Sequence, residues 1–129
     1  MKESDISRAI QIAATKEGWR LFRQNVGTAW TGNVVSRSAD LLTLSNPRPL
    51  RAGLCVGSGD LIGWVPAMVN GARVGVFASV EVKTPRGRVS EDQTNFLRNV
   101  QAAHGIALIA RSPEEAIEEI RRAVAALSD

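Results

Sequence analysis

The sequence predicts an α/β fold with a mixed central sheet flanked by helices on both faces. Amphipathic helical patterns occupy residues 1–18 and 112–127. Between them, two apolar runs separated by Asn70-Gly71 are typical of a β-hairpin. A helical pattern over 90–104 and the apolar run 106–110 then complete a strand, helix, strand order. That order favours a parallel strand pair joined by a right-handed crossover.

Length and composition indicate one compact domain over residues 1–129. A chain of 129 residues with 44% hydrophobic content is enough for one core and too short for two. The formal net charge of +3 favours a polyanionic partner, although an ordinary protein can carry this excess. No apolar run reaches membrane-spanning length and the N-terminus lacks a signal-peptide pattern. We therefore expect a cytoplasmic protein with no membrane partner.

The single cysteine and the single histidine exclude two kinds of site. One cysteine, Cys55, cannot form an internal disulfide framework, and we expect it to be a small buried apolar residue. One cysteine and one histidine, His104, cannot fill a tetrahedral zinc site.

The first predicted helix, residues 1–18, has Ser4 as its expected N-cap and Gly18 at its end. Glu3 lies in the first turn, where a negative charge interacts favourably with the helix dipole. Residues 19–26 follow as a predicted strand. Its polar residues either contact phosphates or form a solvated strand end; they are Arg20, Arg23 and Gln24.

Residues 27–59 are expected to be a long loop. Their one short apolar run, 40–44, is either a small strand or a helical turn. Trp30 is either a stacking surface for a base or a plug at the edge of the core. Such a long loop in a compact domain usually has a function, and its positive charges suggest a nucleic-acid groove. These charges come from Arg37, Arg48 and Arg51.

The glycine-rich segment 53–59 (GLCVGSG) is not a nucleotide-binding loop. It lacks the Lys-Ser/Thr ending of such loops, and no helical pattern follows it directly. Its glycines instead allow the backbone to turn tightly before Asp60.

Charged side chains of the predicted hairpin converge at one edge of the sheet. The alternation over 76–83 places Glu81 and Lys83 on the same face, roughly 7 Å apart along the strand. The turn at Asn70-Gly71 carries Asp60 toward this pair. Two carboxylates can hold a hard cation such as Mg²⁺ or Mn²⁺, and the ammonium can orient an attacking water. The pattern therefore indicates metal-dependent phosphodiester cleavage.

The segment after the predicted strand 76–83 is a basic turn that leads into the next helix. Arg86 and Arg88 follow the strand immediately, which favours phosphate contacts. Ser90-x-x-Gln93 is a capping box at the start of that helix. Farther on, 106–110 is predicted to be a strand buried on both faces, and Ser112 to Glu115 a second capping box with Pro at the first turn.

The arrangement Asp60…Glu81-Val82-Lys83 resembles the PD-(D/E)xK nuclease superfamily. Further residues resemble its VRR-NUC branch: the segments 57–63 (GSGDLIG) and 87–90 (GRVS), then Gln93 and Phe96-Leu97. One departure is Gly59, which stands where many members have proline.

The resemblance implies a restriction-endonuclease-like α/β sandwich and assigns roles to single residues. Asp60, Glu81 and the Val82 carbonyl would bind the metal. Lys83 would position the water, with Gln93 beside the catalytic strand as its neighbour. Glu3, on the first helix, would reach the metal site.

By the same resemblance, the chain is similar to free-standing, phage-type members and to Holliday-junction resolvases. This implies a homodimeric Mg²⁺- or Mn²⁺-dependent DNA endonuclease that acts on branched or structured DNA. The alternatives are a non-catalytic nucleic-acid-binding module of the same fold, and a surface salt bridge between Glu81 and Lys83 in an unrelated protein.

Overall fold

The computed structural model describes residues 1–128, which divide into two compact units. One comprises Met1–Gln24 and the chain from Val56 onward, and the other comprises Asn25–Cys55. The predicted single domain over 1–129 stays a prediction. In chain order the elements are α1 (Glu3–Lys16), β1 (Arg20–Arg23), β2 (Gly27–Arg37), β3 (Leu42–Ala52), β4 (Leu61–Val69), β5 (Ala72–Val82), α2 (Glu91–Ala102), β6 (Ile106–Ala110) and α3 (Pro113–Leu127).

The first unit contains a four-stranded mixed sheet in the order β1-β4-β5-β6. β4 pairs antiparallel with β1 and β5, whereas β5 and β6 pair in parallel across α2. The β4–β5 hairpin closes at Asn70-Gly71, where both residues have positive φ, 49° and 78°. Two positive φ values are what a tight two-residue hairpin turn requires. The predicted hairpin, the parallel pair β5–β6 and the mixed sheet are confirmed, and the right-handed sense of the crossover stays a prediction.

Helices cover both faces of this sheet. α1 and α3 pack on one face, where Ile6, Ile10 and Ile120 are almost fully buried against Val80 and its neighbours in the core. α2 lies along the other face, where its Phe96 lines a groove together with β5. No residue of α2 is fully buried, so this helix covers its face of the sheet only in part. The α/β sandwich expected from the sequence is confirmed.

The helix ends follow the sequence with two corrections. α1 begins after Lys2 rather than Ser4, because the Asp5 carboxylate accepts the Lys2 N–H at 3.4 Å, which starts the helix earlier than expected. α3 starts at Ser112, which accepts the Glu115 N–H at 3.1 Å. The Glu115 carboxylate, however, accepts the N–H of Arg111 at 2.9 Å, so the second capping box is only half-formed.

The second unit is a β-hairpin, and the prediction of a long loop over 27–59 was wrong. β2 and β3 pair antiparallel over most of their length, with irregular register near Asn33 and Val34. Every residue of β2 is exposed, so no alternation of polar and apolar residues revealed the strand. Pro47 and Pro49 argued against a strand, but a two-stranded ribbon has only edge strands, and these tolerate proline.

Three smaller expectations were also wrong. Cys55 is exposed rather than buried. The strand predicted over 19–26 is only the four residues of β1, because the chain then enters the second unit. β6 is not buried on both faces throughout, since Leu108 and Ile109 remain partly exposed.

Among the described helices, none combines the length and apolarity that crossing a bilayer demands.

Candidate active site

Asp60 and the end of β5 meet at one edge of the sheet, as the sequence predicts. Leu61 pairs with Val80, so the preceding Asp60 lies level with Glu81. The Asp60 Oδ2 atom accepts a hydrogen bond from the Val82 N–H at 3.0 Å. The first carboxylate is therefore anchored to the backbone of the strand that carries the second.

Glu81 is a buried acid next to Asp60. Only 8% of Glu81 is exposed. Burial, followed by the hydrogen bond and the negative charge of Asp60, raises the pKa of Glu81 to about 8, although the ammonium of Lys83 opposes the shift. Below about pH 8 the Glu81 carboxyl therefore keeps its proton, because a negative charge in this buried position beside Asp60 is costly.

Lys83 lies beside this acid pair with little access to solvent. Its Nζ atom is 3.8 Å from Oε1 of Glu81, and the two side chains are 13% and 10% exposed. Its backbone N–H donates to the Ala110 carbonyl at 3.0 Å. The hypothesis of a surface salt bridge in an unrelated protein was wrong, since the pair is buried and Asp60 is joined to it.

The turn after Lys83 is held by Arg111, a residue that was not among the sequence-predicted site residues. The Arg111 Nη1 atom donates to the carbonyls of Thr84 at 2.6 Å and Gly87 at 2.8 Å. The turn itself closes with a hydrogen bond of 3.0 Å from the Gly87 N–H to the Thr84 carbonyl. Gly87 lies against the aliphatic stem of Lys83, so the turn limits where that stem can go. The only signal in the sequence was the place of Arg111 directly after the buried strand β6.

Gln24 is half-buried rather than part of a solvated strand end, and it holds the segment that leads into Asp60. Its Nε2 atom donates to the Gly59 carbonyl at 2.5 Å and to Ser58 Oγ at 2.7 Å. Its backbone N–H donates to the Asp60 carbonyl at 2.9 Å. These three bonds join the end of β1 to the start of β4 and define the position of Asp60.

Gly59 is buried where this segment crosses β5. A Cβ atom at Gly59 would overlap Ser79 Oγ and press on the carbonyl of Val80. The position therefore requires close approach of two backbones, and glycine provides it without a side chain.

Glu3 and Gln93 occupy less direct positions. Glu3 is exposed at the first residue of α1, and its charge makes the smallest of the contributions that raise the pKa of Glu81. Gln93 completes the predicted capping box: its Oε1 accepts the Ser90 N–H at 2.9 Å, and its N–H donates to Ser90 Oγ at 3.1 Å. The capping hypothesis is confirmed, and the catalytic role of Gln93 stays a prediction.

The predicted phosphate-binding arginines fall into two groups, and all are exposed. Arg86 and Arg88 lie in the connection directly after Lys83, while Arg23 ends β1 opposite Leu61. The other three are on the strands of the second unit rather than in a loop; they are Arg37, Arg48 and Arg51. Contact of any of them with DNA stays a prediction.

Two carboxylates are available to hold a metal ion at this edge of the sheet. Within residues 1–128 no group of three His, Cys, Asp or Glu side chains is arranged to hold an ion. Mg²⁺, however, is commonly held by one or two carboxylates that are completed by water and phosphate oxygens. The acid pair of Asp60 and Glu81 fits such an ion, whereas a preformed cage with Glu3 as a third ligand is not found among the described residues.

Comparison with known proteins agrees with the resemblance noted in the sequence. The family model described as the VRR-NUC domain matches residues 2–114, a span that includes every element from α1 to β6. No curated protein matches the chain.

Proposed function

Since this chain belongs to the VRR-NUC domain family, which implies a nuclease-type function and DNA binding, we propose that it is a Mg²⁺- or Mn²⁺-dependent DNA endonuclease. One observation carries this proposal: Glu81 is a buried acid beside Asp60, Asp60 is anchored to the Val82 N–H, and the Lys83 ammonium lies 3.8 Å from Glu81. An acid pair of this kind is costly to bury, and perturbed acids of this kind cluster at functional sites.

A divalent cation is the natural replacement for the proton of Glu81. Asp60 and Glu81 would hold it, with the Val82 carbonyl at the same edge and Glu3 reaching toward it from α1. When bound, such an ion polarises a phosphate oxygen and lowers the pKa of a coordinated water. Burial of Glu81 increases the benefit of neutralising its charge by a cation.

Lys83 would act on the water or on the phosphate. Its ammonium carries three donors and lies 3.8 Å from Glu81, so it can donate to a water held between the acid and the substrate. The same charge would stabilise the negative charge that develops on the phosphate oxygens. Gln93, at the start of α2, would support this group from the neighbouring element.

DNA would be held by the exposed arginines, first by Arg86 and Arg88 because they follow Lys83 directly. Arg23, Arg37, Arg48 and Arg51 would extend the contact with phosphates.

We further propose a homodimer that acts on branched or structured DNA. A two-stranded hairpin is marginally stable alone, and the second unit exposes many apolar side chains that a second copy would cover. Those more than half exposed are Trp30, Val34, Val35, Leu41, Leu42, Leu50 and Leu54.

The experiment that tests the catalytic proposal is cleavage of labelled linear, nicked, flapped and four-way DNAs with Mg²⁺, Mn²⁺ or EDTA. Wild type is compared with Asp60→Asn and Lys83→Ala, and with Lys16→Ala as a matched control, since Lys16 is an exposed cation at the end of α1. We expect metal-dependent cutting that both site variants lose and the control keeps. The DNA that is cut fastest identifies the substrate class.

The second candidate is a non-catalytic DNA-binding module of the same fold. The observation that favours it is the lack of a three-residue ion site within residues 1–128. It predicts that every DNA stays intact with either metal, while wild type, Glu81→Ala and Lys83→Ala bind DNA equally well.

A further inference from the structure

Three exposed aromatic side chains lie on the sheet face that also carries the acid pair, and the catalytic proposal does not use them. Phe22 of β1 is 50% exposed, Trp64 of β4 is 48% exposed and Phe77 of β5 is 41% exposed. Exposed large aromatic residues grouped on one surface mark an interaction site more often than scattered apolar residues do. We call these three residues the aromatic row.

The strand register defines the row. Trp64 pairs directly with Phe77, and the rings of Trp64 and Phe22 lie 5.5 Å apart at a tilt of 53°. Phe77 and Glu81 have the same parity on β5, so both point to the same face. They are four positions apart, which is roughly 13 Å along the strand. The row therefore begins a short distance from the proposed cleavage site.

The charge around the row is positive. Arg20 is the cross-strand partner of Trp64, and Arg73 is the partner of Met68 on the same face. Neither arginine takes part in an ion pair within residues 1–128. Apart from Glu81, the three strands β1, β4 and β5 contain no acidic residue. An anionic ligand with flat apolar groups fits this combination of rings and guanidinium groups.

A groove extends the row toward α2. It has a volume of about 380 Å³ and is lined by Phe77 of β5 and by Phe96 and His104 from the α2 side. Its walls are mainly apolar side chains, and they include the rings of Phe77 from β5 and Phe96 from α2. The groove thus offers a continuation of the same stacking surface on the face that α2 leaves partly open.

We propose that the aromatic row binds unpaired bases of a single-stranded DNA segment next to the cleavage site, with Arg20 near the phosphates. The proposal rests on the nuclease function above and defines its substrate as DNA in which duplex and single strand meet. Bases within a duplex stack on one another, so only unpaired bases can stack on side chains. At about 3.4 Å per stacked nucleotide, 13 Å corresponds to about four nucleotides between Trp64 or Phe77 and the scissile phosphate.

A second copy of the chain is a poorer occupant of this surface. A two-fold symmetric contact brings the same patch of both subunits together. Arg20 and Arg73 of each copy would then face like charges, which costs affinity. The polyanionic backbone of DNA has the opposite sign.

The test is binding of a labelled 15-nucleotide oligo(dT) and of a blunt 15-base-pair duplex, measured by anisotropy in EDTA. The variants are Trp64→Ala, Trp64→Phe and Ile12→Ala; Ile12 is an equally exposed apolar residue on α1, at the other side of the sheet. We expect Trp64→Ala to weaken oligo(dT) binding about 5- to 100-fold and duplex binding less than twofold. Trp64→Phe keeps most of the affinity, because it keeps a ring.

A fluorescence titration reports on the same contact directly. The chain has three tryptophans, and Trp19 is buried, so in a Trp30→Phe background Trp64 is the exposed one. Oligo(dT) should quench its emission in proportion to the bound fraction. This readout does not depend on catalysis.

Different failures identify different errors. If wild type cuts DNA with metal but Trp64→Ala binds oligo(dT) as wild type does, the inference is overturned and the nuclease function stands. If sedimentation shows that Trp64→Ala converts a dimer to a monomer with unchanged oligo(dT) binding per chain, the row is a self-association surface instead. If wild type binds neither DNA and cuts none, the proposed function itself fails.

Discussion

Metal binding at the acid pair should depend steeply on pH below about 8. The pKa of Glu81 is raised to about 8 by burial and by Asp60, so below that value a cation must displace a proton to bind. Displacing one proton changes the apparent affinity about tenfold per pH unit. From pH 6 to pH 8, the affinity for Mg²⁺ or Mn²⁺ should therefore rise about 50-fold, and above pH 8 it should level off.

Isothermal titration calorimetry tests this prediction without any DNA. Titrations at pH 6.5 in buffers of different ionisation enthalpy count the protons released, and we expect about one per ion bound. At pH 9 the number should fall to near zero. Glu81→Gln is the matched control, since it removes the titrating acid and should abolish most of the pH dependence. An affinity that does not change between pH 6 and pH 8 would refute the reasoning.

The same shift predicts how the metal-free protein loses stability. The pKa of Glu81 rises from an ordinary 4.5 to about 8 on folding, so between these values the folded state holds a proton that the unfolded state has released. The contribution of Glu81 to the free energy of unfolding is therefore largest below pH 4.5 and falls as the pH rises to about 8. The slope is about 1.4 kcal/mol per pH unit where the two states differ by one full proton. Urea denaturation at pH 5.5 and pH 8.5, with and without Mg²⁺, measures this loss of unfolding free energy. Mg²⁺ should offset the loss mainly at the higher pH.

Three further changes test the surroundings of the site. Arg111→Ala removes charged hydrogen bonds to the turn after β5, so thermal unfolding should show a loss of about 2 to 3 kcal/mol. If the proposed nuclease function holds, single-turnover cleavage by this variant should slow while its Mg²⁺ affinity stays constant. Gly59→Ala should lower the free energy of unfolding, measured in urea, by about 1 to 3 kcal/mol, because the new Cβ overlaps β5. Gly27→Ala is the control and should be near neutral, because the space around its Cβ is open. Equal losses of stability in both variants would contradict the close-approach argument. Arg86→Ala combined with Arg88→Ala should weaken DNA binding and reduce its salt slope by about two, and an unchanged slope would show that neither contacts a phosphate.

Local patterns in the sequence were enough for the hairpin that carries the site. The alternation over 76–83 and the turn at Asn70-Gly71 are both short-range signals, because each depends on the period of a strand or on the φ values of two residues. These two signals alone predict that Asp60, Glu81 and Lys83 meet at one edge of the sheet. The family followed from the same residues, and the match over residues 2–114 confirms it.

The second unit shows where local patterns do not suffice. Its two strands bury almost nothing, so no alternation of polar and apolar residues marks them, and the prolines of β3 argue against a strand. The strands became visible only through their pairing, in which Trp30 lies opposite Pro49.

The sequence by itself determined which residues line the candidate site and which class of fold carries them. Only the tertiary structure decided the environment of these residues. The Gln24 side chain holds the segment before Asp60 through a hydrogen bond to Gly59, 35 positions away in the sequence. Arg111 holds the turn after Lys83 through a hydrogen bond to Thr84, 27 positions away. The raised pKa of Glu81 likewise comes from burial and from a neighbour on another strand. Burial and long-range hydrogen bonds depend on how elements pack, and no local pattern of residues encodes that packing.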